Sequence, residues 1–146
     1  MYESSTPIII EGGIFTDDRG KIEFVNKFDL SVVKRMYFSS NTNTEIIRAW
    51  QGHKIESRWF YCVQGIIDIR TVAIDNWDNP SKNLAVEQFI LNSNLPQVLF
   101  IPNGYANGFR EVKPNSKLII FSNYLLNEIT DDQQRFDKSL WTNWNV

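Results

Sequence analysis

Short apolar runs rich in β-branched and aromatic residues follow one another along most of this chain, and turn formers separate them where helices would otherwise stand. Ile8–Phe15 is broken by Gly12-Gly13, the turn Asp17-Asp18-Arg19-Gly20 leads into Lys21–Asn26, and Val32–Phe38 alternates in the same manner. Further on come Arg48–Lys54, Trp59–Val63, Ile66–Ile74, Leu84–Leu91, Gln97–Ile101 and Ser116–Ser122. These patterns predict about ten short strands. Without alternating helices a parallel α/β sheet is excluded, and an all-β sandwich or barrel is the architecture left. Gln64-Gly65 has the form of a hairpin turn, Asp75–Asn83 that of a loop, and Pro102–Phe109 that of a tight loop. Only the tail reads as helical: Thr130-Asp131-Asp132-Gln133 fits a capping box, and Phe136, Leu140, Trp141 and Trp144 follow at helical spacing. The expectation is one domain over residues 1–146 with a short C-terminal helix covering an open end or face of the sheet.

Fifteen Lys and Arg against seventeen Asp and Glu give a net charge of -2, with no basic stripe, so nucleic acid is not an expected partner. The single cysteine, Cys62, sits in an apolar run and suits a buried thiol in a reducing compartment. No stretch approaches the ~20 apolar residues of a membrane span, so no membrane is expected and the chain reads as soluble and cytoplasmic. The N-terminal strands are aromatic and aliphatic on both faces, which predicts a homodimer that covers them.

The chemistry concentrates in Arg48-Ala49-Trp50-Gln51-Gly52-His53-Lys54 and the following Arg58–Gly65. In a strand, the period of two puts Arg48, Trp50, Gly52 and Lys54 on one face and Ala49, Gln51 and His53 on the other. The spacing from His53 through Arg58 to Gly65, with Pro102–Asn107 further on, resembles the two motifs of the cupin jelly roll. In metal-binding cupins these motifs supply three histidines and a glutamate, whereas the matching positions here hold Gln51, His53, Arg58 and Asn107. A guanidinium is not a ligand and amides are poor ones, so no metal or other cofactor is expected.

Asp18-Arg19-Gly20, Lys34–Phe38, Arg48–Lys54 and Ile101–Phe109 resemble a metal-free branch of that fold. It comprises the nucleotide-sugar 3,5-epimerases and 3,4-ketoisomerases, including WxcM-like proteins. The resemblance implies an isomerase or epimerase acting on a 4-keto-6-deoxy nucleotide sugar in surface polysaccharide biosynthesis. Such a reaction takes a proton alpha to a ketone, and histidine, with its reference pKa of about 6.5, makes His53 the base. Tyr124 and Tyr37 are the two candidates to return the proton. Arg19, Arg48 and Arg58 are candidates to clamp the pyrophosphate, since guanidinium pairs with phosphate oxygens bidentately. Gln51 and Asn107 stand where relatives carry histidines and are assigned to substrate binding, and Trp50 is a candidate for stacking on the base. Two other readings stay open: a non-catalytic cupin that binds a sugar or nucleotide sugar, and an interaction domain whose jelly roll serves only to dimerise.

Overall fold

The structure, a computed structural model, describes residues 4–146. Two five-stranded antiparallel sheets pack face to face. The first has the order β1 (Ile8–Glu11), β9 (Gln97–Ile101), β6 (Arg58–Gln64), β11 (Lys117–Ser122) and β4 (Arg35–Ser39). The second has the order β12 (Gln133–Arg135), β5 (Ile47–His53), β10 (Tyr105–Glu111), β7 (Ile66–Ala73) and β8 (Glu87–Asn92). A separate hairpin, β2 (Gly13–Asp17) with β3 (Gly20–Phe24), turns at Asp18-Arg19 as its sequence predicts. This is the all-β sandwich that the strand pattern implied, in the jelly-roll form that the cupin resemblance implied. Strands that follow one another in the chain mostly lie in opposite sheets, so the sandwich is closed by crossovers rather than by hairpins.

The period of two sorts the side chains into three apolar layers. Between the sheets lie Phe60, Cys62, Ile67, Ile69, Leu91, Leu99, Ile101, Phe109, Leu118 and Ile120, drawn from six strands. Outside the first sheet, Ile10, Trp59, Val98 and Phe100 are covered by Val25, Phe28, Val32 and Val33. Outside the second, Trp50, Val72 and Ala106 are covered by the tail through Phe136, Trp141 and Trp144. Trp50 stands at the centre of this outer layer. Its ring meets Trp141 edge-on at 5.3 Å and Trp144 at 5.4 Å, and its indole N–H donates to the Leu140 carbonyl at 3.1 Å.

Three sequence expectations change here. Gln64-Gly65 is a corner, because β6 and β7 belong to different sheets and do not pair. Gly65 turns it at φ 83°, with Ser116 packed where a side chain would go. The Pro102–Phe109 segment is a turn only as far as Gly104, after which β10 begins. Its small residues are strand residues under load: a Cβ on Gly108 would stand 2.6 Å from that of Ala49 and 2.9 Å from the Trp144 ring.

The C-terminal helix does not form. Residues 133–135 pair with β5, and Phe136 exchanges backbone hydrogen bonds with Trp50 at 3.1 and 3.2 Å. The Asp132 carboxylate, read as part of a helix cap, instead accepts the backbone N–H groups of Ile55 at 2.8 Å and Glu56 at 3.0 Å. The spaced aromatics are satisfied by an irregular pass over Trp50, which offers them more apolar contact than one face of a short helix could. Arg70 secures the end of that pass, donating to Thr142 Oγ1 at 2.7 Å and the Asn143 carbonyl at 2.8 Å with its guanidinium over Trp144.

Because Trp50 is buried and anchors the whole outer layer, Trp50→Ala should destabilise the fold by about 3–5 kcal/mol. Urea titration checks this; a loss under about 1 kcal/mol would mean that the tail docks independently of Trp50.

Candidate active site

Strand β5 carries the site. Its pairing with β10 slips by one residue between Asn107 and Phe109, which breaks the simple alternation. Ala49 and Trp50 therefore both belong to the outer aromatic layer, while Arg48 comes round to the side of Gln51, where the two line one cavity. Gln51 and His53 point between the sheets as the period of two predicts. Trp50 is 1 % exposed beneath the tail, so it has no free face for a base to stack on.

His53 ends β5 in a cavity of about 130 Å³, which it shares with Arg35, Glu56, Arg58, Tyr124 and Asp132. The segment Leu125–Ile129 forms part of the cavity's rim. The ring Nδ1 lies 3.4 Å from a Glu56 oxygen and 3.5 Å from an Asp132 oxygen. These are close electrostatic contacts but longer than ordinary hydrogen bonds, and both ring nitrogens are buried without a hydrogen-bond partner among the described residues. Burial pulls the imidazole down to about 4, Arg58 adds to the effect, and Glu56 and Asp132 oppose it. The ring is neutral at physiological pH and has a lone pair to offer.

Glu56 is the charged hub of the cavity. Its oxygens accept Arg58 Nε at 2.7 Å and the Ser122 hydroxyl at 2.6 Å, and Arg35 approaches at 3.5 Å. Burial works against its charge, but the Arg58 guanidinium and the hydrogen bonds from Ser122 and Arg58 hold it below the usual glutamate range. Arg58 continues the chain of contacts by donating to the Tyr37 hydroxyl at 2.6 Å. Burial raises the Tyr37 phenol against the pull of Arg58 and Arg35, so Tyr37 keeps its proton.

Arg58 and Tyr37 also open onto a second cavity of about 280 Å³, lined by Ser39, Ser40, Arg48 and Gln51 as well. The two cavities are neighbours with Arg58 in common. Thus the fold brings together His53, Tyr124, Tyr37, Arg58, Arg48 and Gln51. Asn107 is buried on β10 directly across from Gln51 but lines neither cavity. Arg19 is not gathered in: it sits exposed at the tip of the β2–β3 hairpin, paired with Asp17 at 2.6 Å.

Glu56, Asp132, Arg35 and Ser122 were given no role in the site from the sequence, although Arg35 and Ser122 lie in segments that carry the resemblance and Asp132 in the expected helix cap. Glu56 had a signal, since an acid three residues beyond the only histidine is close on any turn. Asp132 had none for this role, because its proximity to His53 exists only through the docked tail. Among the described residues no group of three or more His, Cys, Asp or Glu is arranged to hold a metal ion, and none of the described helices is long and apolar enough to cross a membrane.

The profile of the family described as FdtA: WxcM-like, C-terminal, matches residues 6–141. No curated protein matches the chain by sequence. A 3,4-ketoisomerase from Thermoanaerobacterium thermosaccharolyticum, solved with TDP-4-keto-6-deoxyglucose, superposes at TM-score 0.69 with 18 % identity, over 92 % of this chain and 90 % of that one. The TDP-quinovose 3,4-ketoisomerase of Campylobacter jejuni gives TM-score 0.67 and 19 % identity, over 91 % of this chain and 95 % of that one. A dTDP-4-dehydrorhamnose 3,5-epimerase from Bacillus anthracis, with TDP and pyrophosphate bound, gives TM-score 0.77 and 19 % identity, over 99 % of this chain and 89 % of that one. At these identities the likeness is one of fold.

The depressed imidazole carries a stability consequence. Between about pH 6.5, where the unfolded chain takes up a proton on His53, and about pH 4, where the folded protein does, the unfolded state holds more protons and acidification favours it. Stability should therefore fall by roughly 2 kcal/mol from about pH 7 to about pH 5, and His53→Asn should flatten that slope. Urea titrations of both proteins at the two pH values measure it, and equal slopes would place His53 in a solvated environment instead.

Proposed function

The chain belongs to the WxcM-like, C-terminal family, and on that footing we propose that it is a metal-independent isomerase or epimerase of a 4-keto-6-deoxy nucleotide sugar. The observation that carries this reading is a buried, neutral histidine with no hydrogen-bond partner on either ring nitrogen among the described residues, lining a cavity that also holds a phenol. His53 takes the proton alpha to the ketone, the electron pair of the broken C–H bond moves into the enolate, and a tyrosine returns a proton. Tyr124 is favoured for the return, because it lines the same cavity as His53 while the Tyr37 hydroxyl is already engaged by Arg58.

Arg58, Arg48 and Gln51 would hold the sugar and its pyrophosphate from the neighbouring cavity, with Asn107 supporting Gln51 across the strands. Arg19 has no part in the site that one chain forms. Gln51 is not a base, so a single imidazole serves the site, which favours exchange at one carbon, as a 3,4-ketoisomerase or 3-epimerase requires, over the two positions of a 3,5-epimerase. TDP-4-keto-6-deoxyglucose, held by the ketoisomerase from T. thermosaccharolyticum, is the first substrate to test. A product of this kind would feed the synthesis of surface polysaccharide, in the cytoplasm. The second reading, a non-catalytic cupin that binds a nucleotide sugar, is favoured by Gln51 and Asn107 at positions where relatives carry histidines.

The proposed unit is a single domain that pairs as a homodimer. Met36 and Phe38 are about half exposed on edge strand β4, as are Ile14, Phe15 and Ile22 on the projecting hairpin, and a second copy would cover them. Light scattering should give about twice the 17.1 kDa chain mass across a range of concentrations, and a constant monomer would refute the pairing.

The function is tested by incubating the protein with dTDP-4-keto-6-deoxyglucose in deuterated water, with a chelator present, and following the sugar protons by NMR. Deuterium is expected at C3 of the 4-keto sugar if the reaction is 3-epimerisation, and at C4 of the 3-keto product if it is 3,4-ketoisomerisation. His53→Asn should slow the exchange by about 100-fold or more while nucleotide-sugar affinity, which rests on the arginines, stays within about threefold. Binding without exchange in the unaltered protein would select the non-catalytic reading.

A further inference from the structure

Glu56 lies in the turn between β5 and β6, 9 % exposed, and belongs to none of the motifs that mark the site. Every polar contact of its carboxylate is with a group in or beside the His53 cavity: Arg58, Ser122, Arg35 and His53 itself. A buried carboxylate held for packing alone would be expensive, and one tied to four groups of a single cavity has a more specific use.

We propose that Glu56 is a positioning residue for His53. Together with Asp132 it faces Nδ1 at 3.4–3.5 Å, so the neutral ring keeps its proton on Nδ1 and presents Nε2 as the base. Its second function is to fix Arg58: the bond to Arg58 Nε leaves Nη1 of the same guanidinium bonded to Tyr37, and this sets the wall between the two cavities. The inference rests on the isomerase reading of the site.

Charge and proton accounting agree with this role. The charged groups that line the cavity with the ring are Glu56 from the β5–β6 turn, Asp132 from the tail, Arg58 from β6 and Arg35 from β4, two negative and two positive. When Nε2 accepts the proton from carbon, the ring becomes positive and its Nδ1 proton is drawn toward the two carboxylates, whose present contacts are long enough to tighten. Enolate and imidazolium form together; the Tyr124 hydroxyl then gives its proton to the enolate carbon, which restores the ketone, and the ring's proton returns to the tyrosinate through solvent, so that both groups end as they began. Glu56 thus acts through His53 and Arg58.

His53 is the only histidine in the chain, so ring ¹⁵N signals report on it without assignment. In the unaltered protein at neutral pH, ¹⁵N-histidine NMR should show a neutral ring protonated at Nδ1. Glu56→Gln should spread the ring between the two tautomers, move its protonation to lower pH, and cut kcat for solvent exchange by about 10- to 100-fold with KM within about threefold. Glu56→Asp, which keeps the charge, should recover part of the loss. An Nε2-protonated ring in the unaltered protein would overturn the proposal whether or not the variants fold. Ring signals, titration and kcat that are all unchanged in Glu56→Gln would overturn it as well. Absence of exchange in the unaltered protein would count against the isomerase reading, and the tautomer measurement would then decide the role of Glu56 by itself.

Discussion

Strand β5 has to be buried on both faces, and most of what is distinctive in this molecule follows from that constraint. A strand of an antiparallel sandwich normally shows one face to the core and one to water. Here the outward face carries Trp50 and Gly52, and both are buried beneath the tail. Gly52 has no room for more than hydrogen, since a Cβ would stand 2.6 Å from the Trp77 ring and 3.0 Å from that of Phe136. The tail must therefore lie close over β5. Its β12 segment pairs along β5 with Gln133 opposite His53, and that pairing sets Asp132 beside the imidazole and against the N–H groups of Ile55 and Glu56. The outer aromatic layer and the inner polar site are thus coupled through one strand.

On the inner side, the cavity around His53 balances its own charge. Two arginines and two carboxylates are brought out of water together, which is tolerable only because each is hydrogen-bonded or paired with another. Glu56 accepts from Arg58 and Ser122, and Asp132 accepts from two backbone amides. The histidine is the member with neither ring nitrogen hydrogen-bonded among the described residues, and Arg35 Nε is likewise without a partner. Unpartnered polar atoms inside a protein are costly, so a ring kept this way, in the midst of paired charges, points to a group held ready for something that binds.

The sequence made the strands, the sheet class and the inward face of Gln51 and His53 legible because these depend on a local period of two and on turn formers. What it concealed was non-local. Gln64-Gly65 has the chemistry of a hairpin turn, but whether the next strand pairs with the last or crosses to the other sheet is decided by partners far along the chain, β9 and β11 for β6, β8 and β10 for β7. The tail showed a helical spacing of aromatics with a capping box before it, yet the apolar surface that claims those side chains is Trp50, some ninety residues earlier. Propensity lost to packing there. The site divided in the same way. The motif residues announced themselves by spacing, whereas Asp132 reached His53 through the very misreading of the tail, and Arg19 gave a clear turn signal that led away from the cavity.

A charge argument ties the fold to the proposed reaction. With His53 neutral, the formal charges of Arg35, Arg58, Glu56 and Asp132 around the cavity sum to zero, so a sugar ring bound there would meet no net charge. Proton transfer then creates an imidazolium and an enolate a few ångströms apart, a pair that again sums to zero. In a site of low effective dielectric, separating those charges would be prohibitive, while creating them side by side costs far less. The Nδ1 carboxylates lower the cost of the positive member, and the guanidinium of Arg58 and a phenol are at hand for the negative one. An unbalanced cluster would tip the equilibrium of one step at the expense of its reverse. An isomerase must run its proton transfer in both directions through one intermediate, and a surround of balanced, paired charges with an imidazole held free of hydrogen bonds meets that requirement.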